Sequence, residues 1–81
     1  MKILIRTKDI ARVFLVEKRS ASTYDTHRLC ITYENGSTSE WRANCVESPS
    51  QHYVSEQIKN AYMEITKACK EEKEFVEFEI D

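Results

Sequence analysis

The sequence predicts a two-layer α+β domain, a mostly antiparallel sheet with one long amphipathic helix packed on one face. Three observations carry this expectation. Short runs rich in β-branched and aromatic residues occur near both ends and through the first half of the chain. An Asn35-Gly36 pair sits between two alternating segments. One apolar stripe at helical spacing begins at Val54 and ends at Cys69. The expected order is strand, strand, strand, strand, helix, strand.

Lys2–Arg6 (KILIR) reads as the first strand from its β-branched content. Ala11–Arg19 (ARVFLVEKR) is open to two readings. Asp9 is a competent helix N-cap, but Val13, Phe14 and Val16 favour a strand, and a strand is expected. Ser20–Thr26 (SASTYDT) reads as a polar loop.

His27–Tyr33 and Ser37–Ala43 form a hairpin around Glu34-Asn35-Gly36. The length of the turn decides which side chains share a face. A two-residue Asn35-Gly36 turn would set Ile31 against Glu40 and Leu29 against Arg42. A three-residue loop with left-handed Gly36 in a bulge instead gathers Leu29, Ile31 and Tyr33 with Ser39, Trp41 and Ala43. Only the second register collects the apolar groups, so the three-residue loop is expected.

Ser48-Pro49-Ser50-Gln51 marks a helix start: Ser at the N-cap, Pro at the first helical position, Gln at the capping-box position. Val54, Ile58, Ala61, Tyr62, Ile65, Ala68 and Cys69 then make one continuous stripe. Ser55, Glu56, Lys59, Met63, Lys67 and Lys70 lie away from it. The charged run Lys70–Glu74 ends the helix without a glycine. Phe75–Ile80 (FVEFEI) is the last strand, with Val76, Phe78 and Ile80 on one side and Glu77 and Glu79 on the other. Coming after a helix, it is open to a parallel arrangement through a right-handed crossover. Lys2 and Arg6 complement Glu77 and Glu79, which makes the first strand a suitable neighbour.

Eighty-one residues make a single domain, 1–81, with no room for a second core. Glycine and proline occur once each, against any low-complexity reading. The longest apolar runs, Ile3-Leu4-Ile5 and Val13-Phe14-Leu15-Val16, are too short for a bilayer span or a signal-peptide core. Three cysteines at long spacings, Cys30, Cys45 and Cys69, read as three thiols, mostly small core residues, in a reducing, cytoplasmic setting. The net charge of -2 excludes a simple polycation, but it is unevenly spread. Residues 1–45 carry eight basic groups and five acids, residues 46–81 four basic groups and nine acids. Such polarity orients approaching partners unless the two halves neutralise each other within the fold.

Chemical motifs are sparse. His27 and Cys30 are three apart but point to opposite faces of a strand, and no C-x-x-C is present, so no metal or other cofactor is expected. Cys45 near His52, at the entry to the helix, is the best local candidate for a nucleophile and base. A chain of this size leaves little volume for a pocket of about 300 Å³ beside a complete core, and enzymatic activity is not expected.

The informative surface is the reverse of the sheet. If the odd-numbered hairpin residues cover the helix, the even face shows Arg28, Cys30, Thr32, Thr38, Glu40 and Arg42. With the same parity the second strand adds Arg12, Phe14, Val16 and Lys18. Arg12, Phe14, Val16, Lys18, Arg28 and Arg42 are therefore the candidate partner-binding residues, a basic rim around two apolar side chains. A homodimer stacking these faces is the plainest outcome. The expected function is a small non-enzymatic protein-interaction module, of a size suited to a phage or mobile-element accessory or inhibitor protein that binds a larger one. The alternative is a nucleic-acid binder using the same basic face. Only Phe14 offers a stacking aromatic there, which weakens that alternative. The acidic helix exterior, with Glu64, Glu71, Glu72 and Glu74, reads as an ordinary solubilising face with mixed lysines, and docking on a basic protein surface is the lesser alternative.

Overall fold

A computed structural model of the chain describes residues 1–19, 25–44 and 49–81. Strand β1 (Lys2–Arg6) runs through a 3-10 turn (Thr7–Asp9) into β2 (Ile10–Arg19). β3 (Asp25–Tyr33), β4 (Thr38–Asn44), helix α1 (Pro49–Lys70) and β5 (Phe75–Glu79) follow. This is the α+β order expected, and every strand pairing is antiparallel. The strands form two ladders: a three-stranded sheet β2-β3-β4 and a two-stranded ribbon β1-β5. No helix among the described residues is long and apolar enough to cross a membrane.

The hairpin has the three-residue loop. Thr32 pairs with Thr38, and the Tyr33 N–H donates to the Ser37 carbonyl at 2.8 Å. Gly36 N–H closes the turn onto the Tyr33 carbonyl at 2.9 Å. Gly36 takes a φ of 88°, the left-handed value that a bulge of this type requires. Asn35 Oδ1 braces the loop by accepting from the Ser37 N–H at 2.9 Å. The register sets Leu29 opposite Trp41, Ile31 opposite Ser39 and His27 opposite Ala43.

That odd face meets α1. Leu29, Ile31, Ala43, Ile58, Ala61, Ile65 and Ala68 form the buried core, joined by Val76 and Phe78 from β5 and by Ile80 just after it. Leu29, Ile31, Ile58 and Ile65 are fully buried; each such side chain contributes roughly 1.5–3 kcal/mol relative to exposure. Val13 and Leu15 from β2 pack against the same core. Ile10 does so too, although its number is even, because the β2–β3 register shifts between Ile10 and Arg12. Ala11 is the extra residue of that bulge, and it turns Ile10 inward.

The ribbon joins the first and last strands as their charges suggested. Lys2 stands opposite Glu79, and its Nζ lies 3.8 Å from Glu77 Oε1. The pairing is antiparallel, which corrects the parallel option. Thr7 is the reason: its N–H donates to the Glu74 carbonyl at 3.1 Å, and its hydroxyl donates to the Lys73 and Glu74 carbonyls. The end of β1 is thereby tied to the start of β5, and the two strands must run in opposite directions.

α1 begins at Pro49, as expected, and Lys67 and Lys70 sit in its last turn, where cations favour the helix dipole. Its 22 residues make a rod about 33 Å long. It ends in a Schellman motif without glycine. Lys73 N–H reaches the Ala68 carbonyl at 2.9 Å, Glu72 N–H reaches that of Cys69 at 3.3 Å, and Glu72 has a φ of 55°. Three further expectations need correction. Asp25 and Thr26 belong to β3, not to a loop. Ser55 is buried rather than on the outer helix face. Cys69 is exposed in the last helical turn and Cys30 is half-buried on the open sheet face, so neither is a core thiol. The Ser48 cap, the Ser48/Gln51 capping box and the Cys45/His52 corner lie outside the described residues or side chains.

Candidate interaction face

The register of the three-stranded sheet places the expected residues together on the side away from α1. Three rows run across it: Arg12–Thr32–Thr38, Phe14–Cys30–Glu40 and Val16–Arg28–Arg42. Lys18 follows at the next backbone position, opposite Thr26, with its side chain outside those described. Alternation alone produces this arrangement, because successive strand residues point to opposite faces. The same alternation separates His27, buried on the helix side, from Cys30 on the open side, so those two cannot hold one ion.

Phe14 is 48% exposed and Val16 36%, midway along β2 rather than at its frayed ends. No described element packs over them. Cys30 Sγ lies 3.8 Å from Glu40 Oε2. Glu40 Oε1 accepts from Arg42 Nε, two residues along the same strand. That hydrogen bond, and then the charges of Arg42 and Arg28, hold the Glu40 carboxyl below its ordinary pKa. Arg28 is half-buried between β2 and β4, and its Nε is buried with no acceptor among the described residues. The face thus carries Arg12, Arg28 and Arg42 against a single carboxylate that Arg42 already engages.

The face is the open surface of a three-stranded sheet. Two hollows of about 590 and 510 Å³ lie elsewhere, one between β1 and the 34–37 loop and one beside Cys69. Among the described residues no group of three or more His, Cys, Asp or Glu side chains is placed to hold a metal ion. The molecule is therefore an α+β protein with an open, basic, partly apolar sheet face. Comparison with protein-family models, curated proteins and solved structures finds no match to the chain.

What sequence reasoning missed is the electrostatic detail. That Glu40 lies within reach of Arg28 and Arg42 together depends on cross-strand register as well as parity. The signal was present in the i, i+2 spacing of Glu40 and Arg42 on one strand.

Proposed function

We propose that the chain is a non-enzymatic protein-interaction module, an accessory or inhibitor protein that docks through its open sheet face onto an acidic surface of a larger protein. The observation that supports this most is the pair of adjacent rows Phe14–Cys30–Glu40 and Val16–Arg28–Arg42. They combine an aromatic anchor and two guanidinium groups, residue types enriched at interfaces, with Val16 beside them. Arg42 is exposed, and a carboxylate brought to its guanidinium group makes a charge-assisted hydrogen bond.

Charge selects the partner. Stacking two copies of this face would bring six arginines against two glutamates, a like-charge juxtaposition that costs affinity. An acidic protein surface removes that cost. A polyphosphate chain fits less well, because Glu40 stands in the middle row of the face and Phe14 offers only one ring for base stacking. Free thiols at Cys30 and Cys69 suit the reducing conditions of the cytoplasm.

The test is photo-cross-linking in cells that carry the gene, with p-benzoylphenylalanine at position 14 or at position 63 on the exposed helix side. Position 14 is expected to capture a protein with an acidic surface, in a yield unchanged by nuclease and lowered by Arg28→Glu. Capture that vanishes with nuclease would assign the face to nucleic acid. Equal capture from both positions, or none from position 14, would remove the proposal.

A further inference from the structure

The outer edge of β2 is the least protected feature of the fold. β2 is ten residues long, and among the described residues it pairs only with β3. Edge strands are ordinarily blunted by shortness, proline, charge or a covering element. The ribbon follows that rule: β5 is five residues long and alternates glutamates along its outward side. β2 does not. Its central four residues, Val13-Phe14-Leu15-Val16, carry no charge and no glycine or proline, and its bulge lies near one end, at Ala11. A row of backbone donors and acceptors left unpaired among the described residues, on so apolar a strand, is a template for another strand.

We infer that this edge is the homodimer contact: two copies pair β2 with β2 antiparallel, joining two three-stranded sheets into one of six strands. The side chains of β2 decide both the partner and the register. In an antiparallel pair, opposed residues share a face, so around a two-fold axis normal to the sheet even positions must meet even and odd meet odd. Placing Leu15 on the axis sets Arg12 against Lys18 of the second copy, a like-charge pair. Placing Val16 there sets Phe14 against Lys18. Placing Phe14 on the axis sets Phe14 against itself, Val13 against Leu15 and Arg12 against Val16, with Ala11 against Glu17. That register opposes no like charges, buries an aromatic pair and matches β-branched with aliphatic residues, the pairs that stabilise a sheet. The strand is thus complementary to a second copy of itself. The dimer leaves Arg28 and Arg42 on both copies free, and a second copy captured from position 14 is told from a larger partner by its mass.

The test uses the full chain with its three cysteines replaced by alanine, and introduces Phe14→Cys or Val16→Cys. Opposed residues on neighbouring strands have Cα atoms about 4.5–5.5 Å apart, within disulfide range. Phe14→Cys is expected to give a disulfide-linked dimer on mild oxidation, and Val16→Cys to give none, because position 16 meets position 12. Sedimentation of the otherwise unchanged protein is expected to show a dimer. Val16→Lys, which places a lysine opposite Arg12 of the second copy at two symmetric sites, is expected to weaken it by about tenfold or more. A monomer at high concentration would overturn the inference, as would Val16→Cys linking as readily as Phe14→Cys. In either case, capture by cross-linking from position 14 would still stand or fall on its own.

Discussion

Trp41 meets Phe78 edge to face, with ring centroids 5.6 Å apart and planes at 87°. The pair joins β4 to β5 and so ties together two ladders that share no strand pairing among the described residues. Aromatic pairs of this geometry contribute about 0.5–1.5 kcal/mol beyond the area they bury. Trp41→Ala is expected to destabilise the protein by about 3 kcal/mol, the low end for such a truncation because Trp41 is only half-buried. A double-mutant cycle with Phe78→Leu, read by urea unfolding, is expected to show coupling of about 1 kcal/mol. Additive losses would mean that the two ladders are held together elsewhere.

Gly36 has a φ of 88°, and a Cβ built there meets nothing within 4 Å. The cost of Gly36→Ala is therefore conformational and not steric, about 1–2 kcal/mol. Gly36→Asn is expected to cost less, since asparagine tolerates the left-handed region. Thermal unfolding of the two variants gives the order directly, and equal losses would contradict it.

Glu72 offers the opposite opportunity. It holds a φ of 55° at the end of α1 and places a negative charge at the negative end of the helix dipole. Glu72→Gly relieves both and is expected to stabilise the protein by about 1 kcal/mol. No gain in the urea midpoint would show that the Glu72 side chain makes a compensating interaction.

Much of this was legible in the sequence, and the hairpin shows why. One glycine after Glu34-Asn35 sets the loop length, and the loop length sets the face of every residue from His27 to Ala43 and, through pairing, of β2. The apolar residues of that stretch can share a face in only one of the two registers, so pattern and turn chemistry agree. The pairing of β1 with β5 was likewise visible in opposite charges on two short strands. Other features rest on contacts that no local pattern encodes. The antiparallel sense of the ribbon comes from Thr7 reaching the carbonyls of Lys73 and Glu74, 66 and 67 residues away. The inward turn of Ile10 comes from a bulge at an alanine, which carries no sequence signal. Cys69 follows the helical stripe in sequence but lies in the exposed last turn.

Glu40 should report the electrostatics of the open face. Its pKa lies below the ordinary value of 4.5, chiefly because of the hydrogen bond from Arg42. With the folded-state value depressed, the interaction contributes above the ordinary carboxylate value and is lost as pH falls through the lower folded one. Titration followed by the side-chain carboxyl carbon resonance is expected to show Glu40 below 4.5 in the native protein and closer to it in Arg42→Ala. A native value at or above 4.5 would mean that the pair does not form in solution.

The account rests on Phe14 standing on the uncovered side of the sheet. Nuclear Overhauser contacts of the Phe14 ring in the isolated protein test this most directly. The account requires contacts to Cys30, its cross-strand neighbour, and none to Ile58 or Ile65 of α1. Contacts from that ring to either isoleucine would place it beneath the helix and contradict the proposed face.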